Sequence, residues 1–150
     1  MNVAWTSLEY QAFRRPDKTA VVFGEKGYCY AFLNAAANKV AKALRSLGVQ
    51  KGDRVSMWLP NCLEFITSFY GILKLGAVVV PMNILFKARE IEYLLSNSEA
   101  KVLITVDSCL ETLRQVRDKL PALQKVIAVG LEEDEREALS FNKFVRNFSD

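Results

Sequence analysis

The chain has 150 residues, 51% of them hydrophobic and 25% charged, and a net charge of +3. That is long enough for one domain with a real core. The mild charge, on scattered Lys and Arg with no zinc-finger or RNA-binding motif, argues against nucleic acid as a partner. Histidine is absent, so no Ser-His-Asp triad, Cys-His dyad or histidine metal site can be built from this chain alone.

Cys29, Cys62 and Cys109 lie far apart. An odd number without close pairs speaks against a disulfide framework and a cysteine metal site, and for reduced thiols acting as small core hydrophobes. The N-terminus, MNVAWTSLEYQAFRRPDK, has no basic region followed by an apolar one, so no signal peptide is expected. The longest apolar stretch, Ile66 to Met82, contains Lys74, Pro81 and two glycines. A membrane helix needs about 20 mostly apolar residues. A cytoplasmic protein without a transmembrane segment is expected.

In chain order, Ser7–Phe13 reads as a short amphipathic helix ended by Arg15-Pro16-Asp17. Ala20–Phe23 and Tyr28–Tyr30 flank a glycine-containing loop and predict a β-hairpin. Leu33, Ala36, Val40, Leu44 and Leu47 build one apolar stripe on a helix from about 31 to 47, with Gly48 at the left-handed cap position. Arg54–Leu59 is a strand. Asn61 then stands as an N-cap, with Glu64 completing a capping box. The helix from 62 to about 75 is apolar on most sides and therefore mostly buried. Gly76 ends it, Val78–Val80 follow as a strand expected to be buried on both faces, and Pro81 stops that strand.

A helix from about 87 to 97 leads to the strand Lys101–Val106. Ser108 with Glu111 forms a second capping box, opening a helix that carries Leu110, Leu113, Val116 and Leu120 and ends at Pro121. The strand Lys125–Val129 follows. The tail opens on Glu132, Glu133, Asp134, Glu135 and Glu137, read as a solvated loop because a hard-cation site needs oxygens at defined spacing around a turn. A short helix is expected within 140–147. RVSMWL, AVVV, KVLITV and KVIAV are near-continuous apolar runs alternating with helices. This predicts an α/β fold, a layered parallel sheet with helices on both faces, plus the N-terminal hairpin.

Such a sheet binds ligands at the carboxyl ends of its strands. Neither G-x-G-x-x-G nor G-x-x-x-x-G-K-[ST] is present, so a nucleotide site built from this chain alone is not expected. No nucleophile elbow is present. Glu90 and Glu92 are i, i+2 and do not share a helix face. Lys74, in an apolar helix, is expected to pack its stem and snorkel its ammonium outward. No catalytic, cofactor-binding or metal-binding residue is assigned.

The order of motifs is more specific. RRPDKTAVVF precedes the hairpin, and the long helix runs into LGVQKGDRV, LPNCLEF and LKLGAVVVPMN, then FKAREIEYLLSNSEAKVLI. From about Arg14 to Gly130 this resembles the N-terminal part of the AMP-forming acyl-CoA synthetases of the adenylate-forming superfamily, and PMNILFKAREIEYLL is most similar to fatty-acid and related carboxylate–CoA ligases. One departure is local: the family's Thr-Tyr-x-Glu-Leu reads Cys29-Tyr30-Ala31-Phe32-Leu33, so the capping box at the start of the long helix is lost.

The resemblance implies that residues 1–150 are the N-terminal part of the AMP-binding (adenylation) domain, ending before the phosphate loop. It implies an enzyme that activates a carboxylic acid, with fatty acids as the expected substrates, using ATP and Mg2+ to form an acyl-adenylate, then passes the acyl group to coenzyme A. The partner implied is that small-molecule carboxylate. No cofactor is expected for this chain alone, which by itself should catalyse neither half. The alternative is a free-standing α/β binding or interaction module that has lost the chemistry.

Overall fold

The computed structural model describes residues 4–150, Trp5 and Thr6 by their backbone only. A π-helical turn, Trp5–Glu9, runs into α1 (Tyr10–Arg14). The antiparallel hairpin β1 (Thr19–Phe23) and β2 (Lys26–Cys29) follows. Its turn is tighter than expected: Gly24 and Glu25 alone separate the strands, and Gly24 takes the positive φ of +62° that an L side chain resists.

The rest is a layered unit. Its elements are α2 (Tyr30–Ser46), β3 (Arg54–Trp58), α3 (Leu63–Lys74), β4 (Val78–Pro81), α4 (Ala88–Ser98), β5 (Val102–Val106), α5 (Leu110–Arg114), β6 (Lys125–Val129), β7 (Leu139–Ser140) and α6 (Phe141–Arg146). The strands form one sheet in the order β4-β3-β5-β6-β7, every neighbouring pair parallel. Because side chains alternate along a strand, the central strands feed two cores. Val55, Met57, Ile104 and Ile127 pack with Leu44 of α2, Ile72 of α3 and Phe141 of α6. Trp58, Leu103 and Ala128 point the other way, toward Ile91 and Leu95 of α4 and Leu113 of α5. Helices on both faces explain why these strands read as unbroken apolar runs.

Two glycines end helices as expected. Gly48 N–H bonds Arg45 C=O and Val49 N–H bonds Leu44 C=O; Gly76 N–H bonds Leu73 C=O and Ala77 N–H bonds Ile72 C=O. Both are Schellman ends, which need the positive φ found at Gly48 and Gly76. Gly71 serves another purpose: a Cβ there would lie 2.7 Å from Val40 Cγ1 and 3.1 Å from Ala37 O, so its absence lets α2 and α3 cross closely.

Several expectations change. β4 is an edge strand, paired only with β3, and Val78 is 46% exposed rather than buried on both faces. Pro81 belongs to it, which an edge tolerates. α3 starts one residue later than expected, with Cys62 at the N-cap, so Asn61 and Glu64 form no capping box. The helix expected after β5 is broken into a 3-10 turn (Asp107–Cys109), the short α5 and a second 3-10 turn (Arg117–Lys119), and Ser108 caps nothing. Its apolar positions Leu110, Leu113, Val116 and Leu120 are nonetheless all buried, because the tighter turns keep them on the sheet. β7 had no signal; it is two residues long. Among the described residues no helix is long and apolar enough to cross a membrane.

Candidate functional site

The chain runs from β3 outward to β4, then returns to the other side of β3 with β5. The direction of winding therefore reverses between β3 and β5, and the crevice outside their carboxyl ends is where parallel α/β sheets take ligands. Pro60 and Asn61 leave β3 there, Asp107 and Ser108 leave β5, and Gly130 follows β6; all are exposed.

The floor of this edge is tied by buried polar contacts. Thr105, fully buried, donates its hydroxyl to the Trp58 carbonyl at 3.1 Å and so joins β5 to β3. Trp58 Nε1 donates to the Asn83 carbonyl at 3.1 Å, anchoring the loop after β4. Asn83 Oδ1 accepts the Leu85 N–H at 2.9 Å, a local turn that leaves Leu85 75% exposed. At the rim, the Asp107 carboxylate accepts the Ser108 N–H at 2.6 Å and lies against Gly130. A Cβ on Gly130 would be 2.7 Å from Asp107 Cγ, and Gly130 has φ +100°. Glycine is required there twice over, for space and for backbone conformation.

The end of β5 is set against a nucleotide phosphate. A phosphate cradle offers free backbone N–H groups at a helix start. Here the Ser108 amide is taken by a carboxylate, and that carboxylate would repel a phosphate. Among the described residues no cluster of three or more Cys, Asp or Glu could hold a metal ion. Burial pushes the Cys62 and Cys109 thiols upward, outweighing the Phe65 amide beside Cys62 and the Thr105 side chain beside Cys109, which disfavours the thiolate at those two positions.

The other groups weighed from sequence are committed to structure. The Glu90 carboxylate accepts the Lys87 N–H at 3.0 Å at the start of α4, and Glu92 pairs with Lys119 at 3.0 Å. In the acidic tail, Glu133 pairs with Lys143, Glu137 with Arg114 at 2.7 Å and Glu135 with Arg114 at 3.5 Å. Asp134 Oδ1 accepts the Ser140 N–H at 2.8 Å. Lys74 does not snorkel: its side chain is 7% exposed, paired with Glu9 and bonded to Asn34 Oδ1 at 2.9 Å. The sequence reading missed Thr105, Asp107 and Gly130. The available signal was an Asp and a Gly each placed directly after an apolar strand.

Comparison with known proteins shows where a sheet of this order belongs. Residues 8–148 match the family described as AMP-binding enzyme. The chain belongs to that family. A crotonobetaine/carnitine–CoA ligase of Salmonella typhimurium is 36% identical over 120 residues, which cover 76% of this chain and 23% of that protein. Among solved structures, the anthranilate CoA ligase AuaEII in complex with anthranoyl-AMP superposes with a TM-score of 0.93 at 34% identity, covering 99% of this chain and 28% of the other. A Mycobacterium tuberculosis fatty acyl CoA synthetase gives 0.87 at 33% identity, with 99% and 28% covered. The AMP-binding fold thus accounts for the whole described sheet, and the chain spans about a quarter of its relatives' length (23% of the curated ones).

Proposed function

We propose that this chain is the N-terminal part of the adenylation domain of an AMP-forming carboxylate–CoA ligase, a scaffold whose phosphate loop and catalytic groups come from sequence beyond Asp150. The observation that carries this reading is the superposition on AuaEII, over nearly the whole chain at a TM-score of 0.93. The complete enzyme would use Mg-ATP to convert a carboxylic acid to an acyl-adenylate and then transfer the acyl group to coenzyme A in the cytoplasm. The names of the relatives span carnitine, anthranilate and fatty acyl compounds. A fatty acid is the first acid to assay, on the resemblance of PMNILFKAREIEYLL to fatty-acid and related carboxylate–CoA ligases.

Two measurements test this. Calorimetry of the 150-residue chain with Mg-ATP is expected to show no saturable binding; micromolar saturable heat would place a nucleotide site inside the chain and overturn the reading. The coding sequence past Asp150 is expected to continue in frame to a Ser/Thr/Gly-rich loop bearing a lysine. A stop codon there would favour a free-standing module instead.

A further inference from the structure

A cavity of about 400 Å³ lies beneath the N-terminal segment. Its walls include Leu8 from the π-helical turn, Val21 from β1, Leu33 from α2, and Phe65, Phe69 and Tyr70 from α3. None of Asn61, Asp107, Ser108 or Gly130 lines it. Its volume lies within the range of roughly 300–1,000 Å³ typical of small-molecule sites. Among the described residues, one serine and two tyrosine hydroxyls apart, the lining side chains are hydrocarbon, and no Asp, Glu, Lys or Arg is among them. A charged ligand would lose its hydration there with no opposite charge to replace it. The occupant that fits is uncharged.

The wall formed by residues 7 and 8 has unusual construction. It is a π-helical turn, a rare conformation that occurs mostly as single turns within α-helices, frequently at functional sites. A buried cation ties that turn down: Lys74 reaches from the end of α3 to Glu9 in the turn and to Asn34 of α2. A buried ion pair adds little net stability over apolar packing, but it can specify where an element docks. Here it fixes the position of the strap that carries Leu8 over the cavity. Each latch residue adjoins the cavity wall: Glu9 follows Leu8, Asn34 follows Leu33, and Lys74 lies one helical turn beyond Tyr70.

We propose that this cavity binds a small uncharged molecule with an alkyl or aryl body and a single hydrogen-bonding group, and that the strap latched by Lys74 is its lid. The site is independent of the ligase reading, since it excludes carboxylates and nucleotides. The test is a titration of the 150-residue chain with benzyl alcohol, followed by methyl NMR at Leu8, Val21, Leu33 and Ile66, with benzoate as the charged control. Saturable shifts, ring-to-ring NOEs to Phe69 and Tyr70, and at least tenfold weaker binding of benzoate are expected. Ala20→Phe, which puts a ring into the cavity, is expected to weaken benzyl alcohol at least tenfold. Shifts that stay linear to the solubility limit, or equal binding of benzoate, overturn the proposal. Unaltered affinity in Ala20→Phe does the same, and should that variant not fold, the wild-type NOEs decide. For the lid, Glu9→Gln is expected to speed amide hydrogen exchange in residues 7–14 at least fivefold; unchanged exchange removes the lid from the proposal.

Discussion

The central sheet and the N-terminal hairpin use the same kinds of residue to different effect. β3, β5 and β6 are buried along almost their whole length, because helices cover both faces. β1 and β2 are mostly exposed, with Val22 at 66% and Phe23 at 48%. A hairpin alone is marginal in water. This one rests on the small cluster of Leu8, Leu33 and Ala37, against which Val21, Tyr28 and Tyr70 pack. Apolar, β-branched sequence made a strand in β1 as in the central sheet; how many layers cover it set its contribution to stability.

The strongest test truncates one residue from each region. Ile104, fully buried in β5, is expected to lose about 3 kcal/mol on change to Ala. Val22→Ala should stay within about 0.5 kcal/mol. Urea denaturation measures both, and equal losses would break the contrast. Gly71→Ala comes next, at the helix crossing that joins the two regions. Its overpacking against Val40 costs about 2 kcal/mol and gains about 1 in helix propensity. A net loss near 1 kcal/mol is expected, with Val40→Ala relieving the overpacking in a double-mutant cycle; simple additivity of the two changes would show that the crossing is not tight.

A gain is expected where the hairpin enters α2. Cys29 sits at the N-cap with extended backbone and makes no side-chain cap bond. Cys29→Thr should add about 1 kcal/mol and raise the melting midpoint. Adding Phe32→Glu completes the box but removes a ring contact with Tyr28 at 5.2 Å between centroids. The double variant is expected to remain above wild type, and a lower midpoint would assign Phe32 a larger packing role. The smallest effect belongs to Asp53, held below its ordinary value of 3.8 by its bond to Lys101 and then by the Gln50 amide. A lowered carboxyl stabilises the fold above its unfolded value and loses that contribution as pH falls through the folded one. Asp53→Asn should therefore cost under about 1 kcal/mol at neutral pH and nothing in strong acid. A pH-independent cost would mean that the pairing is not its source.

Much of the layered unit was legible because its signals are local. The apolar runs gave β3, β5 and β6, and Gly48 and Gly76 marked helix ends through a backbone conformation they alone adopt cheaply. The misplaced helix starts had a local cause too. Asn61 and Ser108 satisfy the spacing of a capping box, but at Asn61 the chain leaving β3 begins its helix one residue later, and at Ser108 it first turns tightly as 3-10. The candidate site was less legible. Asp107 and Gly130 are 23 positions apart, and only the pairing of β5 with β6 sets one against the other.

By itself, then, the sequence determined the long helices, the two-sided burial of the central strands and the family, since each depends on periodicity and motif order along the chain. Tertiary structure decided that β4 lies at an edge, that a two-residue strand closes the other side, that Gly71 meets Val40, and that Lys74 turns inward to Glu9. Those outcomes depend on segments far apart in sequence arriving at the same place. Lys74 shows the physical reason: an ammonium on an apolar helix seeks water unless a carboxylate is brought to it, and the carboxylate came from 65 residues away.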